Sequence, residues 1–216
     1  MGTITRSFAN NITTSGVLLP ASLVNNSIAN VTSYNAAVSQ GNMVLISSQT
    51  ASNSASISFT TGINSTYKEY QFWYFDINPA TNGADFHFNM STDSGSNYNV
   101  TKTSTYFASY HAEDDSSTVL SYDGGQDLAQ STAFQSISHD IGNGADESGA
   151  GTLTLFNPSS TTYVKHFISN TNNTYVAYSQ NHYMAGYGNT TSAINAVQFK
   201  MSSGNFDGTI LMYGIV

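Results

Sequence analysis

Tyr70-Gln71-Phe72-Trp73-Tyr74-Phe75-Asp76-Ile77 is the most apolar stretch of the chain, aromatic at both phases of a two-residue period and stopped by Asn78-Pro79, with Asn82-Gly83 just beyond. So short a run, bounded by turn residues, reads as a central strand that ends in a turn. The pattern continues on both sides. Phe86, Phe88 and Met90 alternate with Asp85, His87 and Asn89, and the cluster Asp93-Ser94-Gly95-Ser96 closes that segment, which predicts a hairpin. Upstream, Met43-Val44-Leu45-Ile46 is a continuous apolar run, and Ala55, Ile57 and Phe59 alternate with Ser54, Ser56 and Ser58. Downstream, candidate strands cover 105–111, 118–122, 134–138, 151–156, 163–169, 174–182, 194–201 and 209–215. Turn signals separate them: Asp123-Gly124-Gly125, Gly142-Asn143-Gly144, Asn157-Pro158, Gly186-Tyr187-Gly188, Ser203-Gly204-Asn205 and Asp207-Gly208. Many short strands at this spacing make the chain all-β, a sandwich or a barrel. The one candidate helix, 127–133, is short and polar, and no internal repeat of fixed period is present.

Composition supports sheet. Of the 216 residues only 8% are charged, against about 25% in an average soluble domain, and Ser, Thr and Asn take the places where Lys and Glu usually stand. The 14 Tyr and 12 Phe exclude a disordered chain. A chain of this length supports one large core. Residues 1–40, irregular apart from a candidate strand at 27–34, are expected to be an N-terminal arm or edge segment, and 41–216 a single domain. With 13 carboxylates against 5 Lys and Arg, no basic stripe exists to neutralise phosphates, which excludes nucleic acid as a partner. Neither is there an apolar run near the ~20 residues that span a bilayer, nor a cationic face for an anionic membrane. Cys is absent, so there is neither a disulfide nor a thiolate metal site. The start, MGTITRSFANN, lacks the apolar core of a secretory signal, so synthesis in a cytoplasm is expected.

Few constellations suggest chemistry. The 5 His stand at 87, 111, 139, 166 and 182, with no HxH or HxxxH pair; His87 and His166 fall on the outward phase of their strands, and no metal ligand is assigned. The carboxylates Glu113-Asp114-Asp115 and Asp146-Glu147 read as solvated loops. A glycosidase would need two facing carboxyls about 5 to 9.5 Å apart, and a pair from Asp114, Asp115, Asp146 and Glu147 is the only candidate set for a polysaccharide depolymerase. Asp93-Ser94-Gly95-Ser96-Asn97 offers oxygens to Ca²⁺ but reads as a plain turn. Nucleophile elbows and phosphate-binding glycine motifs are missing. No catalytic residue and no cofactor are therefore assigned. Trp73 is expected in the core or at a subunit interface. Tyr175, Tyr178, Tyr183 and Tyr187, among polar neighbours, are the candidates for an exposed aromatic surface that serves as an interface or binds a glycan.

Several pieces carry a resemblance: Gln49-Thr50-Ala51-Ser52 leading to Ala55-Ser56-Ile57-Ser58-Phe59; Tyr67 to Tyr70; Phe86 to Ser91 with Asp93-Ser94-Gly95; Ile141-Gly142-Asn143; Gly151-Thr152-Leu153; Phe156-Asn157-Pro158; and Ile194 to Phe199. The most specific is the ending Ser203-Gly204-Asn205-Phe206-Asp207-Gly208-Thr209-Ile210-Leu211-Met212-Tyr213-Gly214-Ile215. Together they resemble tail-fibre-like and other virion surface proteins of tailed bacteriophages. That resemblance implies an antiparallel β-sandwich of jelly-roll or concanavalin A-like type. It also implies a place on the virion as a capsid decoration protein or compact tail or fibre subunit, with other virion proteins as partners and a host surface glycan as a candidate ligand. It brings no catalytic residues.

A homo-oligomer is expected, with both termini docked in a sheet or against a neighbour. Its C-terminal strand, 208–216, should be integral to the sandwich, with Thr209, Leu211, Tyr213 and Ile215 on one face and Ile210, Met212 and Val216 on the other.

Overall fold

Residues 42–216, which the computed structural model describes, form twelve strands and no helix: β1 (Met43–Ser54), β2 (Ile57–Phe59), β3 (Glu69–Pro79), β4 (Ala84–Ser91), β5 (Lys102–Ala112), β6 (Thr118–Tyr122), β7 (Gln135–Ile141), β8 (Gly149–Phe156), β9 (Lys165–Tyr175), β10 (Tyr178–Gly188), β11 (Ala196–Met201) and β12 (Phe206–Ile215). The expected arm at 1–40 and its strand at 27–34 lie outside the described residues. An eight-stranded antiparallel sheet runs β1-β12-β3-β8-β9-β10-β5-β6, and a four-stranded one runs β2-β11-β4-β7. Among the described residues no helix is long and apolar enough to cross a membrane.

The two sheets pack their apolar phases together, so the chain is a β-sandwich. From the larger sheet come Tyr70, Phe72 and Tyr74 of β3, Ile210 and Met212 of β12, Leu153 and Leu155 of β8 and Phe167 of β9; from the smaller, Phe86, Phe88 and Met90 of β4 and Val197 and Phe199 of β11. Phe199 is the hub. Its ring stacks on Phe86 at 5.7 Å between centroids and meets Phe72 at 5.4 Å and Phe59 at 6.2 Å, while Phe88 meets Phe167 edge-on at 5.1 Å. Such aromatic pairs contribute about 0.5 to 1.5 kcal/mol each beyond the area they bury.

Several sequence expectations change. The segment 84–91 makes no hairpin: β4 pairs with β11 and β7, because its apolar phase must oppose that of β3 across the core instead of lying beside it. Trp73 is not in the core; it stands 41% exposed on the outer face of the large sheet, near Phe75 at 40%. The candidate strand 174–182 is broken by a turn at Val176-Ala177 that joins β9 to β10. Gly186-Tyr187-Gly188 is no turn but the end of β10, where a side chain at Gly186 would strike the Phe167 ring and Thr103 O. Residues 127–133 form an irregular connection bridged to Lys102, not a helix. As expected, β12 is integral, paired with β1 and β3, and Ile210 and Met212 face the core; Val216 does not join them, being 79% exposed although its N–H still bonds Asn42 O at 3.0 Å.

Two lysines are wholly buried beside neutral acceptors. Lys102 Nζ donates to Asn89 Oδ1 at 2.6 Å and Val100 O at 2.8 Å, and Lys165 Nζ donates to Tyr163 O at 2.7 Å and Thr190 O at 3.2 Å. Burial pushes Lys102 down to about 7 and Tyr74 up to about 12. Between pH 7 and about 10 the unfolded chain holds a proton on Lys102 that the folded chain has released, so stability rises with pH there. Tyr74, whose folded value lies above its unfolded one, contributes stability that is lost as pH climbs from about 10 to 12. Urea midpoints should therefore climb from pH 7 to about 10 and then fall, and Lys102→Met should flatten the climb. A flat wild-type profile over that range would reject this account.

Candidate functional site

Concavity on the large sheet begins where the smaller sheet ends. β7 is the last strand of the smaller sheet and packs over β9 and β10, so the inner faces of β5 and β6 project past it. A cavity of about 320 Å³ lies in this overhang. Ala108 and Tyr110 of β5, Ser121 of β6 and Tyr178, Gln180 and His182 of β10 make its floor, in register as Ala108 opposite His182 and Tyr110 opposite Gln180. Tyr175 closes one end, and Asp123, His139 and Asp140 form the wall.

The wall is made by a β-bulge. Between the pairs Phe86↔Ser138 and Ala84↔Ile141, Asp85 of β4 faces both His139 and Asp140 of β7. Bulges re-aim side chains in this way. Asp140 takes φ 49, its N–H donates to Asp85 Oδ1 at 3.1 Å, and the buried Asn173 amide of β9 holds the bulge from across the core by donating to Asp140 O at 2.9 Å and His139 O at 3.4 Å. His139 Nε2 consequently lies 3.4 Å from Asp140 Oδ2 and 3.9 Å from Asp85 Oδ1, while its Nδ1 lies 3.7 Å from Asp123 Oδ2. His87 Nε2 stands 3.7 Å from Asp85 Oδ2, so His87 is half-buried beside the cluster instead of pointing to solvent.

Charge in this wall is predominantly negative. Partial burial raises Asp140, with Asp85 and Asp123 adding to the rise against the opposing pull of His139. For Asp85 burial acts upward as the largest single influence, but the bonds from His87 and Asp140 and the field of His139 together bring it below the usual carboxylate value. His182, 1% exposed, is held neutral by burial, which takes it down to about 4. Its Nδ1 contacts Ser138 Oγ at 3.4 Å, and its Nε2 has no hydrogen-bond partner among the described residues.

The expected tyrosine surface divides in two. Tyr175 and Tyr178 border the cavity, with Tyr178 edge-on to Tyr110 at 6.0 Å, whereas Tyr183 and Tyr187 point from the opposite face of β10, Tyr183 beside Phe107 and Tyr187 beside His166. The turn at Val176-Ala177 reverses the chain so that Tyr175 and Tyr178 become cross-strand partners. Both acidic loops end at this turn: Glu147 Oε1 accepts the Val176 N–H at 2.6 Å and Oε2 the Gly144 N–H at 2.7 Å, and the Glu113 N–H donates to Ala177 O at 2.9 Å. Glu147 is thereby a backbone cap. Asp114 Oδ1 accepts the Ser116 N–H, and Asp115 Oδ1 lies 3.0 Å from His111 Nε2 on the surface. Asp93 binds Ser91 and Asn97 within its own turn, with the Ser91 bond foremost in holding it down to about 2.

Sequence reasoning missed Asp85, Asp123, His139, Asp140, Gln180 and His182. The adjacent pair His139-Asp140, at the end of the strand signal, was the one local clue to the wall. Comparison with family models, curated proteins and solved structures finds no match to this chain.

Val176 holds φ 56, a left-handed conformation that costs a β-branched residue about 1 to 2 kcal/mol. It is exposed, so Val176→Asn should release strain without opening the core and raise stability by about 1 kcal/mol in urea denaturation. A lowered midpoint would mean that the turn draws more from the Val side chain than from its backbone.

Proposed function

We propose that the protein is a non-enzymatic virion surface component of a tailed bacteriophage, assembled as a homo-oligomer, that holds a host surface glycan in the concave cavity. The cavity is the observation that carries this reading. Tyr110, Tyr175 and Tyr178 offer flat apolar faces beside the carboxylates of Asp123 and Asp140 and the amide of Gln180. A sugar ring needs this mixture, with C–H faces packed on aromatic rings and hydroxyls hydrogen-bonded to carboxylates and amides. The virion assignment, and the jelly-roll or concanavalin A-like kinship with it, rests on the sequence resemblance; two packed antiparallel sheets accord with it. Assembly is supported by the outer face of the large sheet, where Leu45, Trp73, Phe107, Tyr122, Ile168 and Tyr183 are exposed. Apolar side chains gathered on one sheet face mark an interaction surface.

A glycan array probed with the assembled protein should give hits that weaken about tenfold or more with Tyr178→Ala, the loss of one stacking contact. An array without hits would remove the glycan reading. Light scattering should report an oligomer, and a monomer at every concentration would remove the assembly. Incubation with host envelope polysaccharide should release no reducing ends; release abolished by Asp140→Asn would make the protein an enzyme.

A further inference from the structure

The bulge opposite Asp85 concentrates more than a sugar requires. One imidazole nitrogen, His139 Nε2, faces a carboxylate oxygen from Asp140 at 3.4 Å and another from Asp85 at 3.9 Å, and the ligand atoms of these residues all lie within 4.8 Å of one another. Bonds of about 2.1 Å in a tetrahedral zinc site set neighbouring ligand atoms about 3.4 Å apart. The His139–Asp140 spacing matches that, and the His139–Asp85 spacing of 3.9 Å is somewhat wider. Asp123, on the far side of the ring at 3.7 Å from Nδ1, favours the tautomer with its proton on Nδ1 and the lone pair on Nε2. A carboxylate behind a histidine is the usual outer support of a metal-binding imidazole. A second imidazole stands nearby. His182, buried and lining the same cavity, sets its ring 6.4 Å from that of His139.

We propose that Asp85, His139 and Asp140 bind a divalent transition-metal ion of the Zn²⁺ class at the wall of the cavity. The mixed imidazole and carboxylate set selects a first-row metal over Ca²⁺ or Mg²⁺, which prefer oxygen ligands alone. Asp85 lies behind the wall, and His139 and Asp140 line the cavity, so the open position of an ion held by all three is on the cavity side. In that position vicinal sugar hydroxyls would replace water. This last step rests on the glycan reading; metal binding itself does not.

The test is calorimetric titration of chelator-stripped protein with ZnCl₂, without glycan. Expected are one Zn²⁺ per chain, weaker Ca²⁺ and Mg²⁺, binding lost in His139→Gln and Asp140→Asn, and binding about 10 to 100-fold weaker in Asp123→Asn. His111→Gln, on the exposed surface away from the cluster, should bind as wild type. No heat with Zn²⁺, Ca²⁺ binding as tight as Zn²⁺, or Zn²⁺ binding undiminished in folded His139→Gln would overturn the site. Should the variants unfold, Co²⁺ added to the wild type decides: visible bands of four-coordinate cobalt support the site, and their absence overturns it. Glycan binding indifferent to chelator, with Zn²⁺ binding established, would overturn only the shared coordination.

Discussion

The smaller sheet is too narrow to cover the larger one. Eight strands on one side are opposed by four on the other, and the cover ends at β7 above β9 and β10. Where the cover is complete the interior is aromatic, organised around Phe199. Where it runs out, Tyr110 of β5, Ser121 of β6 and Tyr178 of β10 stay partly open on the inner face, and the cavity occupies that margin. As an edge strand paired on one side only, β7 tolerates a bulge in its ladder with β4, and the bulge brings Asp85, His139 and Asp140 together. Pocket and acidic wall thus follow from one mismatch in width.

The interior grades from apolar to polar toward that edge. Ser104, Gln135, Ser136, Ser138, Asn173 and His182 are all buried near β7, and most are tied to one another or to backbone: Ser104 Oγ to Gln135, Ser138 Oγ to Asn173, the Asn173 amide to the bulge carbonyls. Buried polar groups cost little when satisfied, and a satisfied network specifies a single geometry. A chain with so few charges relies on this network of amides and hydroxyls to fix the strand edge that forms the wall.

Much of the fold was legible because alternation was strict: Phe86, Phe88 and Met90 in β4, and Ile210 and Met212 in β12, face the core as their period demands. The allocation of strands to sheets was not legible, since β3 and β4 look like neighbours in sequence yet satisfy each other across the core. Nor was the turn at Val176, because valine is a poor residue for φ 56 and the turn is held instead by Glu147. Gly186 and Gly188 misled in the opposite sense, being small because Phe167 and Met90 pack against them. Of the site, Tyr175 and Tyr178 were read as surface aromatics, but period-two reading cannot show that a displaced turn puts Tyr183 on the other face. The wall depended on a bulge between strands distant in sequence, which no local pattern records.

The placement of β12 between β1 and β3 governs how the protein can be made. During synthesis β1 and β3 emerge early, yet neither can complete its ladder until the last strand arrives. Until then both present open edges, the templates for pairing between chains. Because every consecutive pair except β5–β6, β8–β9 and β9–β10 changes sheet, few local contacts are available to hold the nascent chain in the meantime. Non-local pairing of this kind folds slowly. Ser48 and Thr50 keep part of the exposed phase of β1 polar, but β3 carries Trp73 and Phe75 there, so its half-finished edge is the one most open to wrong pairing during synthesis.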